Sequence, residues 1–155
     1  MCLLKILSLV CLSLALNSGA VWAGTTMDVA DLDQYTWQNR LLFLFATSAE
    51  DPAFQSLSRE VDQNLDGIRD RDLLVFRVLS EGLSLLGPQE ISPEEAARLR
   101  RRFGISPGAF TVVLVGKDGG VKLKRSGQIA LSDIFGLIDS MPMRRREMRT
   151  KDEVR

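Results

Sequence analysis

The side chains that could do chemistry in this chain are carboxylates, hydroxyls and basic groups, because histidine is absent and the two cysteines are Cys2 and Cys11. Both cysteines lie in an apolar amino-terminal stretch that is typical of a cleavable export signal. A chain cleaved after that stretch retains no thiol and no imidazole. Its composition therefore excludes thiol redox chemistry, Ser-His and Cys-His catalysis, and metal sites with nitrogen or sulfur ligands.

Three polar residues, Thr47, Ser48 and Asp51, stand between an apolar run (residues 41–46) and Pro52. The run predicts a buried strand, and the proline suits the first turn of a helix. A helix amino terminus offers free backbone N–H groups and the positive end of a dipole, which can hold an anion or a carboxylate. The three residues are therefore a candidate binding rim. The alternative is that Ser48 or Asp51 simply caps the helix.

A second set of oxygen ligands, Asp62, Asn64, Asp66 and Asp70, follows the spacing that opens a calcium loop. Calcium requires oxygen ligands at alternating positions and, at the twelfth position, a bidentate carboxylate. Leu73 occupies that twelfth position. The alternative is an acidic helix end followed by a polar turn. Calcium binding is therefore a lesser hypothesis, and the sequence predicts no metal ion and no cofactor as the main expectation.

The third candidate surface lies near the carboxyl end, where Met141, Met143, Arg144 and Arg145 crowd together. Methionine side chains are flexible and adapt to irregular partners, and the arginines add positive charge. These residues predict a surface that contacts an unknown protein partner. The alternative is a helix end that docks on the core of its own domain.

Charge is distributed unevenly along the chain. Residues 24–97 contain fourteen acidic and five basic residues, whereas residues 98–155 contain six acidic and fourteen basic residues. We expect the two halves to attract each other in the folded state. Aromatic residues make up only 6% of the chain, and together with the export signal this argues against a nucleic acid partner, which needs stacking aromatics beside basic patches.

The elements that must position these residues follow the order β-α-β-α-β-β-α. Four apolar segments predict strands, and a capping box (Ser92 with Glu95) with Pro93 predicts the start of the second helix. The first two strands flank a helix and should be parallel, whereas the last two form a hairpin. We therefore expect an α/β fold: a four-stranded mixed sheet with helices on both faces. The predicted strands are 41–46, 73–79, 110–115 and 121–125, and the predicted helices begin at Pro52, Pro93 and Ser132.

Several local expectations accompany this order. The first helix should end at Asp66-Gly67, and residues 82–87 should form a loop. On the last strand, Val121 and Leu123 should face inward because they alternate with lysines. Residues 143–155 should form a short helix that frays.

The domain organisation follows from the leader and the charge pattern. Residues 1–23 predict a signal peptide, because the apolar run is too short to span a bilayer and small residues precede Gly24. Residues 24–143 form one domain, and residues 144–155 form a charged tail. We expect a periplasmic or secreted protein with no stable membrane span after cleavage.

Several motifs resemble one family in particular. They are Trp37-Gln38-Asn39-Arg40, Asp51-Pro52, Arg71-Asp72-Leu73, Phe110-Thr111 with the run from Gly116 to Val121, and Leu137-Ile138-Asp139-Ser140-Met141-Pro142-Met143-Arg144. The chain resembles an uncharacterised thioredoxin-like family of exported bacterial proteins, which is also a module in vertebrate extracellular-matrix proteins. The resemblance implies a thioredoxin-like fold.

Thioredoxins carry their redox pair between the first of these strands and its helix. Here that stretch, residues 47–51, contains no sulfur. The sequence therefore predicts a non-redox, thioredoxin-like binding module of the cell envelope. The alternative is an enzyme that uses carboxylate or backbone-amide chemistry at the rim.

Overall fold

The computed structural model describes residues 28–106 and 108–153, so the predicted signal peptide lies outside the described residues. The apolar run after Asn39 forms the central strand β1, Arg40–Ala46, and all seven of its residues are buried. A strand buried on both faces reads as a continuous apolar run rather than an alternating one, which explains why it was readable from sequence.

The sheet has six strands in the order β4-β3-β2-β1-β5-β6. Strand β1 is parallel to β2, from the Arg40↔Leu73 pair to the Ala46↔Leu79 pair, and antiparallel to β5. The other pairs are antiparallel. The remaining strands are β2 Leu73–Leu79, β3 Ser84–Leu86, β4 Gln89–Ile91, β5 Thr111–Val115 and β6 Val121–Ser126.

Helices cover both faces of this sheet, as predicted. One apolar cluster packs α1, α2 and α4 on one face. A second cluster packs α3 and an amino-terminal 3-10 helix on the other face. The helices are α1 Pro52–Gln63, α2 Leu65–Asp70, α3 Pro93–Phe103, α4 Leu131–Ser140 and α5 Pro142–Glu153, and the 3-10 helix is Leu32–Tyr35.

The prediction of four strands was wrong, because residues 82–87 were expected to form a loop and instead contribute to a hairpin. Strands β3 and β4 have three residues each. Buried Ser84 fastens them to β2: the Leu79 N–H donates to Ser84 Oγ at 2.9 Å. Three residues are too few to show a periodic pattern, so the sequence carried no signal for these strands.

Two other local expectations also need correction. Gly67 does not end the first helix: α1 ends at Gln63, and Gly67 lies inside the short α2. Val121 does not face the core, since 53% of it is exposed. A register shift between Leu114 and Val115 interrupts the pairing with β6 at this point, which breaks the alternation that the sequence suggested.

The helix predicted to begin at Pro93, which is α3, begins as predicted. The Ser92 side chain accepts from the Glu95 N–H, and the Glu95 carboxylate accepts from the Ser92 N–H at 2.9 Å. Gly104 ends the helix in the left-handed conformation, with φ of 57°, which costs glycine little.

The charged carboxyl-terminal segment forms α5, which packs beside α4 and against the start of β1. The expected boundary between residues 143 and 144 falls inside this helix. Arg144 is 2% exposed, so the inner face of α5 is part of the folded domain.

Candidate functional site

The rim between β1 and α1 is occupied by its own side chains. Asp51 Oδ1 accepts hydrogen bonds from the backbone N–H groups of Ala53 at 2.9 Å and Phe54 at 3.0 Å. Ser48 Oγ lies 3.4 Å from the Glu50 nitrogen, and a hydrogen bond with Ser48 lowers the pKa of Glu50. The α1 terminus therefore already holds a carboxylate, as the capping alternative proposed.

Thr47 closes the same rim through its backbone. Its carbonyl accepts hydrogen bonds from the N–H groups of Ser80 at 3.1 Å and Glu81 at 2.8 Å. These bonds join the carboxyl ends of the two parallel strands. Thr47, Ser48 and Asp51 do lie together, and each contributes to local structure.

Removing the Asp51 cap tests this arrangement. Asp51→Ala leaves two amide groups of α1 without their acceptor, and we expect it to lower the free energy of unfolding by about 1 kcal/mol. Asp51→Ser retains an acceptor oxygen and should lose less than half of that. Urea unfolding followed by circular dichroism measures both variants. Equal stability of Asp51→Ala and the parent would contradict the cap.

Arg100 also lies at the carboxyl ends of the parallel strands, which the sequence did not predict. Its Nη2 donates to the carbonyls of Ala46 at 2.6 Å and Val78 at 2.8 Å. Burial lowers the pKa of Arg100. It therefore caps the carboxyl ends of β1 and β2.

The opposite end of β1, its amino-terminal pole, carries a dense ion cluster. Arg40, 1% exposed, binds Glu147 of α5 in bidentate fashion, with both N···O distances 3.1 Å. Lys117 lies 2.9 Å from Glu147 and 2.8 Å from Asp72. Arg40 also donates to the Arg71 carbonyl at 2.9 Å. The pole thus joins β1, β2, β5 and α5.

A second group of ions continues this cluster along α5. Buried Arg144 binds the carboxylates of Asp70 and Asp139, the latter at 3.2 Å, and donates to the Asp70 carbonyl at 2.7 Å. Arg71 reaches Asp139 at 2.6 Å, and Lys151 reaches Asp70 at 2.7 Å. Three of these pairs join an acidic residue of the first half to a basic residue of the second half: Lys117–Asp72, Arg144–Asp70 and Lys151–Asp70. Two others, Arg40–Glu147 and Arg71–Asp139, have the opposite arrangement.

The four residues of the predicted partner surface differ in exposure and do not form one exposed surface. Arg144 belongs to the buried ion cluster, so the expectation that it lies on an exposed surface was wrong. Met141 is half-buried and packs against the α1/α4 core cluster, and Met143 is also half-buried. Arg145 is exposed.

The ion cluster makes the free energy of unfolding depend on pH. Burial raises the pKa of Glu147, but hydrogen bonds from Arg40 and Lys117 outweigh it and hold the pKa below its ordinary 4.5. Hydrogen bonding to Lys151 lowers the pKa of Asp70 below 3.8, and Arg144 adds to that effect. A depressed carboxyl pKa gives stability that is present above the unfolded pKa and lost as pH falls through the folded pKa.

We therefore expect the urea midpoint to fall as pH is lowered from about 6 to about 3. The variant Glu147→Gln should be less stable at pH 6 and should lose less on acidification, because it removes one titrating carboxyl. Equilibrium urea unfolding at intervals of pH measures both curves. Parallel curves for the parent and the variant would contradict the role of Glu147.

The calcium candidates do not converge. Asp62 and Asn64 lie at the end of α1, whereas Asp66 and Asp70 lie on α2, and their side chains turn to separate partners. No group of three or more acidic residues suited to a metal ion occurs within residues 28–106 and 108–153. The partners are Arg77 for Asp62, the Glu60 carbonyl for Asn64, Arg69 for Asp66, and Arg144 with Lys151 for Asp70.

Vertebrate proteins are among the curated relatives of this chain. The chain is 29% identical over 133 residues to coiled-coil domain-containing protein 80 of Danio rerio, covering 76% of this chain and 15% of that protein. It is 28% identical over 122 residues to sushi repeat-containing protein SRPX2 of Xenopus laevis, covering 77% of this chain and 27% of that protein. The chain thus spans about a quarter or less of these relatives.

Comparison with solved structures finds peroxiredoxins. The reduced 2-Cys peroxiredoxin of Plasmodium vivax superposes with a TM-score of 0.57 at 14% identity, covering 74% of this chain and 84% of that chain. Thioredoxin peroxidase I of Plasmodium yoelii gives a TM-score of 0.54 at 18% identity, covering 74% and 79% of the two chains. Identity this low shows the fold alone, and it confirms the thioredoxin-like architecture.

Residues 31–147 match a family described as a domain of unknown function, DUF4174. The match begins at the 3-10 helix and ends at Glu147, so it includes both the rim and the ion cluster of the amino-terminal pole. Within the described residues, no helix is long and apolar enough to cross a membrane.

Proposed function

This chain belongs to the DUF4174 family, and we propose that it is a non-redox, thioredoxin-like binding module that works outside the cytoplasm. Its role is to hold a partner on a rigid α/β scaffold. The chain has the thioredoxin-like fold. Residues 47–51, which stand where thioredoxins carry their redox pair, contain no cysteine.

The observation that carries this proposal is the state of the α1 terminus. Thiol chemistry at such a site needs a cysteine whose thiolate is stabilised by the free N–H groups of the helix. Here Asp51 takes those N–H groups with its own carboxylate. The stretch of residues 47–51 contains no sulfur. The rim therefore stabilises the fold and has no thiol to activate.

The proposed location rests on the leader. Residues 1–23 have the basic start, short apolar run and small residues of an export signal. Cleavage there leaves a chain without cysteine, which needs a full apolar core instead of disulfides. The two clusters on either side of the sheet supply that core. We propose that the mature chain is periplasmic or secreted.

Reductase and peroxidase assays on residues 24–155 test the proposal. Insulin precipitation in the presence of dithiothreitol should proceed at the rate of a protein-free control, and hydrogen peroxide should not be consumed catalytically. A bacterial thioredoxin and a 2-Cys peroxiredoxin serve as positive controls. Catalytic turnover in either assay would contradict a non-redox module.

Amino-terminal sequencing of the protein recovered from the producing cells tests the location. We expect the polypeptide to begin at Gly24. Recovery of a chain that retains Cys11 would contradict the export proposal, and it would also restore a thiol to the molecule.

A further inference from the structure

Trp37 has an unusual exposure and an unusual backbone. Its exposed fraction is 68%, and its φ is +65°. The left-handed conformation is costly for a bulky residue, and such positions persist only where neighbours hold them. The backbone N–H of Trp37 donates to the Lys117 carbonyl at 2.6 Å. Asp72, the other non-glycine residue with positive φ in the described part of the chain, binds the Lys117 ammonium.

Lys117 therefore links the strained tryptophan to the ion cluster. Its ammonium group is fixed by Asp72 and Glu147, at 2.8 Å and 2.9 Å. The cluster thus fixes the segment that presents the indole to solvent. A rigid, exposed aromatic ring loses little conformational entropy when a ligand covers it.

The indole lies at the wall of an open cleft of about 700 Å³. Val121, 53% exposed, lines the same cleft, so two of the large exposed apolar side chains of the described residues meet here. Tyr35 lines it as well and is anchored by edge-to-face packing on Phe76, with ring centroids 5.8 Å apart. A cleft of this size suits a ligand of one to a few rings.

Polar groups with unused hydrogen-bonding capacity surround the apolar wall. The Asp33 side chain is 90% exposed, and Arg102 approaches it only to 4.0 Å. The Asn39 side-chain amide lies 3.5 Å from the Asp72 carbonyl, which is too long for a strong hydrogen bond. Together with the Thr36 hydroxyl, these side chains offer a carboxylate, a guanidinium, an amide and a hydroxyl around one aromatic face.

This combination matches the chemistry of a sugar ring. One face of a pyranose presents C–H groups with partial positive charge, which pack on the negative face of an indole. Its hydroxyls each donate and accept, so they can pair with Asp33, Asn39 and Arg102 together. Asp118 is paired with Lys122 at 2.6 Å, whereas the exposed Asp33 carboxylate has no cation closer than Arg102 at 4.0 Å and would repel an acidic or sulfated sugar.

A strand-forming peptide fits the neighbouring edge less well. Strand β6 is one of the two edges of the sheet, but it carries Lys122, Lys124 and Arg125, and its pairing with β5 has a register shift. Charged side chains and bulges on an edge strand oppose the addition of another strand. The cleft beside β6, rather than its backbone edge, is the part that suits a ligand.

We propose that the cleft at Trp37 binds an uncharged saccharide, with the sugar ring stacked on the indole and its hydroxyls bonded to Asp33, Asn39 and Arg102. This inference rests on the proposed function as a binding module and names its ligand class. It places the binding surface at the amino-terminal pole of β1, opposite the rim where thioredoxins carry their redox pair.

The chain provides its own reporter, because its two tryptophans are Trp22, in the leader, and Trp37. Fluorescence of residues 24–155 therefore comes from the cleft alone. The protein is first screened on an array of neutral and anionic glycans, and each bound glycan is then titrated in solution. We expect at least one neutral glycan to bind and to shift the Trp37 emission to shorter wavelength.

Variants then locate the site. Trp37→Ala should weaken binding at least about tenfold, whereas Trp37→Phe, which keeps an aromatic face, should retain most of it. Asp33→Asn should also weaken binding. Leu83→Ala removes another exposed apolar side chain, 53% exposed and outside the cleft, and should have no effect. The variants without tryptophan are measured by calorimetry, and circular dichroism checks that each is folded.

The outcomes separate the two proposals. No binding to any neutral glycan, binding only to anionic glycans, or binding unchanged in Trp37→Ala would overturn the saccharide site. The non-redox module would stand in those cases if the reductase and peroxidase assays remain negative. Catalytic turnover in those assays would overturn the module itself, whatever the array shows.

Discussion

Replacing Glu147 with alanine is expected to lower the free energy of unfolding by about 3 kcal/mol, because it leaves the buried Arg40 guanidinium without its bidentate partner. Arg40 is 1% exposed and Glu147 is 22% exposed, so water cannot replace the carboxylate fully. Lys117 loses one of its two carboxylates in the same substitution. Equilibrium urea unfolding at pH 7 measures the change.

Two further variants show whether the loss comes from the unpaired charge. Glu153→Ala changes an exposed carboxylate on the same helix and should alter stability by less than about 0.5 kcal/mol. The double substitution of Arg40→Met with Glu147→Leu removes both charges, so it should be more stable than Glu147→Ala alone. A loss below about 1 kcal/mol for Glu147→Ala would show that α5 is not held by this pair.

Replacing Phe43 with alanine should cost more, about 4 kcal/mol, because it opens a cavity in the fully buried centre of β1. The Phe43 ring centroid lies 4.5 Å from that of Phe76 and 4.8 Å from that of Phe103. These rings join the sheet to α3. Thermal and urea unfolding of Phe43→Ala should both show the loss.

Phe43→Leu keeps most of the volume and serves as the matched variant, with an expected loss of about 1 kcal/mol. Leu65→Ala, at an exposed position on the surface, should have little effect. If Phe43→Ala and Phe43→Leu were equally stable, the aromatic cluster would not be the core of that face.

The central elements were predictable because residues close together in the sequence determine them. Strand β1 shows seven successive buried residues, and α3 begins with a capping box that works over three residues. Asp51 was also recognisable as a cap, since an acidic residue directly before proline is a local signal. Each of these features depends on neighbours in sequence.

The ion cluster was not predictable, because its partners are far apart in the chain. Arg40 and Glu147 are separated by 107 residues, and nothing near either residue indicates the other. An arginine placed directly before an apolar run was the available hint that one charge would be buried. Glu147, the one carboxylate between Arg144 and Arg149, was the matching hint.

Residues from four of the motifs that carried the family resemblance meet in space, which their positions in sequence did not show. Arg40, Asp72, Lys117, Asp139 and Arg144 come from four different motifs, and all belong to the ion clusters of the amino-terminal pole. Trp37 lies in the first of those motifs and beside the same pole. These four motifs therefore build the end of the sheet away from the thioredoxin redox position, whereas the Asp51-Pro52 motif lies at that position.

In our proposal, this domain binds its ligand in the cleft at Trp37, at the amino-terminal pole of β1, and not at the α1 rim. Amide chemical shifts of residues 24–155, titrated with oligosaccharides released from the cell envelope, test that claim most directly. We predict that the shifts of Thr36, Trp37, Asn39 and Gly119 change, while those of residues 47–51 stay constant. Changes confined to residues 47–51, or no change anywhere, would contradict it.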